Sequence, residues 1–249
     1  MKSFSIFSLS AIAFIFLFSS CQKKKDGTFT LQVNAKYGDQ TFALNSPNTD
    51  PQGRRVELNI LKFYMSHITL VKNDNSELEL KDVALIDFSN PNTLTYSFDN
   101  ISGDFKAIKF GNGVDSLQNL TDPNTISDAS NPLGDQSMYW GWLKYLFEDV
   151  QGRCDTTSNG SGTPNLNWAI NYHIGTNPVF RQTELLKSFS VCCNTPYTLN
   201  ITLDVKKIFY GDTQTLDIIT QSGTQMGSGD NPAVGTTFVN NFSNAFSVE

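Results

Sequence analysis

The sequence predicts an all-β fold, an antiparallel β-sandwich with long loops and one or two short helical turns. Several segments alternate apolar and polar residues, as half-buried strands do. Clusters of Gly, Pro, Asn and Asp separate these segments at short spacing, which is typical of sandwiches and barrels. The chain has 249 residues, which suits a leader followed by one large β domain.

The first predicted strand covers residues 28–37, where Phe29, Leu31, Val33 and Ala35 alternate with polar residues. The next covers residues 56–71, with apolar residues on both faces, and is expected to be a long or bent central strand. Further strands are predicted over residues 83–88, 94–101, 105–110, 166–174 and 197–205. Short helical turns are predicted at 117–120 and 206–209, and long polar loops at 121–136 and 221–235.

The N-terminus predicts a lipoprotein signal peptide over residues 1–20. Lys2 supplies a positive charge, residues 4–18 are apolar except for serines, and Ser19 and Ser20 precede Cys21. The apolar run is short for a membrane span. The small residues before a cysteine favour cleavage that leaves Cys21 as the acylated N-terminus. The alternative is an ordinary signal peptide in which Cys21 is incidental.

Residues 21–27 are then a lipidated tether and residues 28–249 a single domain. This arrangement predicts a lipid-anchored protein of the cell envelope, on the outer membrane, with the domain in the periplasm or on the cell surface. The chain has 18 Lys and Arg against 24 Asp and Glu, a net charge of −6. A negative chain argues against nucleic acid as a partner, because such binding needs a clustered basic surface.

Three cysteines remain after Cys21, namely Cys154, Cys192 and Cys193. An exported protein meets an oxidising compartment, so one disulfide and one free thiol are expected. Adjacent cysteines rarely bond to each other, so the expected bridge joins Cys154 to Cys192 or Cys193. A thiolate metal site is the alternative, although no Cys-x-x-Cys spacing supports it.

Three motifs occur in a specific order along the chain. They are Phe63-Tyr64-Met65-Ser66-His67-Ile68, then Gly113-Val114-Asp115 with a polar loop leading to Met138-Tyr139-Trp140-Gly141-Trp142, then Tyr172-His173-Ile174-Gly175. In this order they resemble the MbnP-like family of copper-binding proteins, which are found with methanobactin operons. The resemblance runs from about residue 29 to about residue 209, and it implies a periplasmic or lipid-anchored β-sandwich that holds one copper ion, usually Cu(I).

The resemblance also implies how copper is bound. The first Trp of the Trp-x-Trp pair is oxidised to kynurenine in this family by a diheme protein related to cytochrome c peroxidases, so Trp140 is the expected target. An indole N–H cannot ligate a metal, but the aryl amine formed by ring opening can. Imidazole suits copper, and His67 and His173 are the two histidines of the chain. The expected ligands are therefore His67, His173 and modified Trp140.

Each of these residues has a simpler interpretation. His67 could be a core histidine, His173 a surface histidine, and Trp140 and Trp142 packed core residues. Met65 and Met138 are core side chains or additional soft ligands, and Trp142 is expected to support the site by packing.

No serine or metal motif of a hydrolase is present, so we expect a binding protein in copper homeostasis rather than an enzyme. Two other functions remain open. A β-sandwich lipoprotein could bind glycan or peptide through exposed Tyr139, Trp140 and Trp142. The acidic loop at residues 122–135 could bind Ca²⁺, although this composition is common.

Overall fold

The computed structural model describes residues 25–157, 165–222, 224–226 and 231–249. Within these ranges, five strands form a small sheet and nine form a large sheet. The fold prediction is confirmed: the domain is a β-sandwich with few helices. The predicted signal peptide, Cys21 and most of the tether lie outside the described residues.

The strands and helices are numbered along the chain. The small sheet contains β1 (Gly27–Tyr37), β2 (Gln40–Thr41), β6 (Thr95–Ile101), β12 (Tyr197–Asp204) and β14 (Phe246–Val248). The large sheet contains β3 (Asn48–Thr49), β4 (Arg55–Lys72), β5 (Glu77–Asp87), β7 (Gly103–Asn112), β8 (Tyr139–Trp140), β9 (Lys144–Cys154), β10 (Trp168–Gly175), β11 (Arg181–Val191) and β13 (Thr224–Met226). The helices are α1 (Val205–Phe209) and α2 (Pro232–Asn244), and short 3-10 turns follow β7.

Most strand pairs are antiparallel, but two are parallel. β1 pairs in parallel with β12, and β10 pairs in parallel with β13. The small sheet runs β14-β12-β1-β2 with β6 also on β1, and the large sheet runs β11-β7-β4-β9-β10-β13. Parallel neighbouring strands require a long connection between them. The pair of β1 and β12 therefore joins the first part of the domain to its last part.

The 18-residue strand β4 organises the large sheet, as the apolar residues on both of its faces predicted. Lys62 and Phe63 pair with both β5 and β9, whereas Met65 and Ser66 pair with both β5 and β7. A strand has two edges, so β9 and β7 share one edge of β4 and meet near Tyr64. The chain that links β7 to β9, residues 113–143, therefore starts and ends at the middle of the sheet.

One core lies between the two sheets and a second lies under the loop of residues 113–143. The first joins residues of β1, β4 and β12 to α2, for example through Phe63 and Phe242, whose ring centroids are 5.1 Å apart. The second contains Tyr64, Met138, Leu143, Tyr145 and Phe147. Both faces of the large sheet are thus covered where β4, β7 and β9 meet.

The expected disulfide is not formed. Cys154 is completely buried and pairs with Val56 at the start of β4. Cys192 follows β11, whose last residue pairs with Gly103 at the start of β7. This part of β7 lies beside Lys72, at the other end of β4. Sixteen residues of β4 separate these ends, roughly 50 Å at the usual rise of a strand. Cys154 therefore cannot reach Cys192 or Cys193, because a disulfide needs Cα atoms within about 7 Å.

The described helices are short. α1 has five residues and α2 has 13. Within the described residues, no helix is long and apolar enough to cross a membrane.

Candidate metal centre

Four polar side chains form a row across the outer face of the large sheet. His173 of β10 is in register with Asp149 of β9, Asp149 with Lys62 of β4, and Lys62 with Asp87 of β5. His173 Nε2 lies 3.5 Å from Asp149 Oδ1, and Lys62 Nζ lies 3.1 Å from Asp87 Oδ2. We call these four residues the polar row; basic and acidic groups alternate along it.

The pleat of the strands explains why the row faces outward from the main core. Residues next to each other on a strand point to opposite faces. Phe63 and Ile174, which follow Lys62 and His173, are fully buried in the core between the sheets. Lys62 and His173 must therefore point to the other face, beneath the loop of residues 113–143.

Trp140 reaches this face through the tight hairpin of β8 and β9. Trp140 pairs with Lys144, and Lys144 adopts a positive φ of 67° that closes the turn. The ring of Trp140 lies against the imidazole of His173, with centroids 4.5 Å apart and planes inclined at 41°. Residues from two of the three sequence motifs are thus in direct contact.

Trp142 lies at the tip of the same hairpin and remains 62% exposed. Its ring centroid is 6.1 Å from that of Trp140, and Gly141 between them has open space around it. Trp142 therefore flanks Trp140 on the solvent side.

The two ring nitrogens of His173 differ in their polar contacts. Nε2 lies 2.9 Å from the amide nitrogen of Gln151, which also donates to Asp149 Oδ1 at 2.8 Å. Nδ1 is buried and has no hydrogen-bond partner in the described part of the chain. Buried polar atoms nearly always have a partner, so this ring nitrogen is left with an unused hydrogen-bonding capacity.

Electrostatics favour the neutral form of His173. Burial lowers the pKa of His173, and the attraction of Asp149 only partly offsets this effect. Burial also raises the pKa of Asp149 above its ordinary value, although Gln151 and His173 act in the opposite direction. A neutral imidazole carries the free lone pair that metal coordination requires.

Met65 and Met138, the two methionines considered as additional ligands, lie on opposite faces of the large sheet. Met65 belongs to the core between the sheets, next to Phe63, so it faces away from Trp140. Met138 is fully buried in the second core, against which Trp140 packs. Of the two methionines, Met138 is thus the one on the same side of the sheet as His173.

His67 lies elsewhere on the large sheet. Lys62 of β4 is in register with Asp149, and Asp149 is in register with His173. His67 lies five residues further along β4 than Lys62. Five residues of strand span roughly 16 Å. The structure therefore brings Trp140 and His173 together but does not bring His67 to them.

The acidic loop does not gather its carboxylates around one point. Asp122, Asp128 and Asp135 each accept a hydrogen bond from the backbone N–H two residues later, at Asn124, Ser130 and Ser137. Such side-chain turns stabilise local chain reversals. The Asp residues of this loop are thus explained by its own turns, without Ca²⁺.

Sequence reasoning missed Asp149 and Gln151, which contact His173. The missed signal is the charged pair Glu148-Asp149 within the otherwise apolar residues 145–150. Charged residues are rarely buried without a partner, so such a pair within an apolar strand indicates a site.

Comparison with known proteins identifies the family and the fold of the chain. A model of the MbnP family matches residues 26–227, which is most of the chain. The structure resembles MbnP from Methylosinus trichosporium with a TM-score of 0.59 at 16% sequence identity, over 90% of this chain and 98% of that chain. No curated protein sequence matches the chain significantly. Since the family match includes the strands and the hairpin that carry Trp140 and His173, the chain belongs to the MbnP family.

Proposed function

We propose that the protein is a copper-binding lipoprotein of the cell envelope, which holds one Cu(I) ion through His173 and oxidised Trp140. The observation that carries this proposal is the buried Nδ1 atom of His173, which has no hydrogen-bond partner among the described residues and belongs to a ring in contact with Trp140. Membership of the MbnP family supports the connection with copper.

The chemistry of these residues fits Cu(I) once Trp140 is modified. Oxidative cleavage of the indole C2–C3 bond by peroxide at the diheme partner adds one oxygen atom to each carbon, and hydrolysis by water then releases C2 as formate. The product is an aryl amine with a free lone pair, whereas the intact indole offers only an N–H donor. A neutral imidazole and a neutral amine suit copper. Gln151 donates to Nε2 of His173 in this structure, so coordination through Nδ1 would require the imidazole proton to move to Nε2, where Asp149 Oδ1 lies 3.5 Å away as the acceptor that supports the ligand.

The position of Trp140 suits modification by another protein. Trp140 is only partly buried, and the neighbouring Trp142 is largely exposed at the tip of the hairpin. A diheme partner related to cytochrome c peroxidases is the proposed oxidant, as the family resemblance implies. Trp142 would contact that partner while His173 and Met138 hold the inner side of Trp140.

We propose a role in copper homeostasis rather than catalysis, with acylated Cys21 holding the domain at the membrane. His173 is buried beneath the loop of residues 113–143, which carries Trp140, and lies beside a buried carboxylate, Asp149. This arrangement supports retention of an ion.

The test is copper binding by protein produced with and without the diheme partner. Protein made with it should show the mass of kynurenine in the peptide that contains Trp140 and should bind one Cu(I). Trp140→Phe and His173→Ala should each weaken Cu(I) binding by at least about 10-fold, since each removes a ligand.

His67→Ala is the matched control, because His67 is the other histidine and lies outside the site. It should leave Cu(I) affinity within about twofold, and Trp142→Phe should have a small effect. Equal Cu(I) affinity in Trp140→Phe and in fully modified protein would disprove the kynurenine ligand. Unchanged affinity after replacement of both histidines would disprove the site.

The alternative, capture of glycan or peptide by an aromatic surface, is favoured only by the exposure of Trp142. Tyr139 packs edge-on against Tyr145, with centroids 5.1 Å apart, and Trp140 packs against His173. A loss of carbohydrate or peptide binding in Trp142→Phe, with no copper bound to the modified protein, would support the alternative.

A further inference from the structure

A second group of metal-binding side chains lies on the large sheet, away from Trp140 and His173. His67 Nδ1 lies 3.2 Å from Glu79 Oε1 and 3.7 Å from Asp82 Oδ1. One ligand atom from each of these three residues lies within 4.8 Å of the others. The two distances from His67 Nδ1 match those between ligands that share one metal ion at about 2.0–2.2 Å, and the exposed side chains of Glu79 and Asp82 can move closer to each other.

The backbone of β4 and β5 creates this cluster. Ser66 pairs with Val83 and Ile68 with Lys81, so His67 lies opposite Asp82. A register shift after Ile68 then places Glu79 opposite Thr69. His67 has a φ of 48°, which is uncommon for a residue with a side chain. The irregular backbone turns the imidazole toward the carboxylates, as bulges near functional sites do.

Asp115 holds the other side of the imidazole. Its Oδ2 lies 2.7 Å from His67 Nε2, and its Oδ1 accepts backbone hydrogen bonds from Leu117 at 2.7 Å and Gln118 at 2.8 Å. Asp115 is acceptor-only when ionised, so Nε2 of His67 carries a proton. When a metal ion displaces the proton from Nδ1, this nitrogen can present its lone pair to the ion beside Glu79 and Asp82, as in the carboxylate–histidine–metal arrangement.

Gln118 connects Asp115 to the ligand side of the cluster. This buried residue donates from its side-chain nitrogen to Asp82 Oδ1 at 2.8 Å, and its side-chain oxygen accepts from the backbone N–H of Asp115 at 3.0 Å. One side chain thus fixes both Asp82 and the residue that orients His67. The positions of Asp82 and His67 are therefore set by protein contacts that do not depend on a bound ion.

The cluster is negatively charged and open to solvent. Glu79, Asp82 and Asp115 surround a single imidazole, and the side chains of Glu79 and Asp82 are 52% and 68% exposed. Lys81, which lies between them on β5, extends over the ring of Tyr96, and Lys109 pairs with Glu77. The two lysines therefore leave these carboxylates available to a cation.

We propose that His67, Glu79 and Asp82 form a binding site for a divalent first-row transition metal ion, with Asp115 as the residue that positions the imidazole. One nitrogen and two carboxylate ligands suit Zn²⁺, Ni²⁺ or Cu²⁺, with water in the remaining positions. Cu(I) prefers softer ligands, and Ca²⁺ and Mg²⁺ prefer oxygen alone. This site is independent of the copper site proposed above.

The test uses Zn²⁺ as the probe, with titration calorimetry on the purified protein after removal of any histidine tag. The wild type should bind one Zn²⁺ at this site. His67→Ala and the double variant Glu79→Gln with Asp82→Asn should each weaken Zn²⁺ binding by at least about 10-fold, and Asp115→Asn by about 10-fold, since it orients a ligand without touching the metal.

One variant is the matched control. Glu77→Gln replaces a carboxylate two residues from Glu79 on the same strand, and it should leave Zn²⁺ affinity within about twofold. NMR of the imidazole nitrogens should show Zn²⁺ shifting Nδ1 of His67 while Nε2 keeps its proton. Lack of stoichiometric binding by the wild type, or equal affinity in His67→Ala, would overturn the proposal.

Discussion

Glu148 and Asp149 are consecutive residues of β9 whose carboxyl groups lie on opposite faces of the large sheet. Glu148 is in register with Phe63 and Ile174, which belong to the core between the sheets, whereas Asp149 is in register with Lys62 and His173. The alternation of a strand thus places one acid in the core and the next at the proposed copper site.

The acid in the core predicts a dependence of stability on pH. Burial raises the pKa of Glu148 to about 8, although Arg181 acts in the opposite direction. Between the ordinary pKa of a glutamate and pH 8, the folded protein therefore keeps a proton on Glu148 that the unfolded protein has released. The free energy of unfolding falls over this range as pH rises. Glu148→Gln removes this loss and should stabilise the protein at pH 9 by on the order of 2 kcal/mol. Urea denaturation at pH 5 and pH 9 measures the effect; an equal pH dependence in both proteins would contradict it.

The acid at the proposed copper site predicts an effect on metal affinity. Asp149→Asn removes the negative charge 3.5 Å from His173 Nε2. Cu(I) affinity of the modified protein should fall by about 10–100-fold, as for other residues that orient a ligand. Asp87→Asn, in the same row but paired with Lys62, should have a smaller effect. Competition with a Cu(I) chelator gives the comparison, and a larger loss in Asp87→Asn would contradict the assignment.

Gly113 predicts a steric effect on stability. Its φ is 97°, and a Cβ atom there would lie 2.4 Å from Cδ2 and Cγ of Phe147. Gly113→Ala should lower the free energy of unfolding by about 2 kcal/mol or more, since strain and overpacking combine. Gly141→Ala is the control, because Gly141 has open space around it and should change stability by less than about 0.5 kcal/mol. Equal unfolding midpoints for the two variants would refute this account.

Cysteine reactivity should follow burial rather than a disulfide. Burial raises the pKa of Cys154 to about 11, so little thiolate is present near neutral pH. Cys193 is exposed and should be alkylated in the native protein well before Cys154. Mass spectrometry of peptides after timed alkylation, without reductant, tests this order. A peptide in which Cys154 is bonded to Cys192 or Cys193 would disprove the described arrangement of strands.

The lipid anchor remains a prediction from the N-terminal sequence. Cys21→Ala should remove the acylation site, because no other side chain in the predicted cleavage motif carries a thiol. The variant should leave the membrane fraction or remain unprocessed, as fractionation and N-terminal sequencing would show. Correct cleavage after Ser20 with the variant still bound to membranes would exclude the anchor.

The sequence predicts the strands whose apolar residues alternate and fails where tertiary packing overrides local preference. The alternation of Phe29, Leu31 and Val33 predicts β1 within one residue at its N-terminal end. Helix α2 contains Gly235 and several Thr and Asn residues, which are poor helix formers. It forms because Val234, Phe238 and Phe242 recur at helical spacing and pack against the core.

The candidate site shows the same limit. Sequence motifs identify Trp140 and His173, but their contact depends on the β8–β9 hairpin. The separation of His67 from His173 depends on the register of three strands, which no single segment determines. The neighbours of each histidine can be identified only once that register is known. They are Asp149 and Gln151 for His173, and Glu79, Asp82 and Asp115 for His67.

The parallel pairing of β1 with β12 has a consequence for folding. Phe29 pairs with Tyr197 and Lys36 with Asp204, so the first strand of the domain obtains this neighbour only after the chain between them is complete. Contacts between residues so distant in sequence slow folding, because a long loop must close before they form. A growing chain therefore carries an unpaired β1 edge until its last quarter emerges, and a truncation before β12 would leave that edge open to other chains and to aggregation.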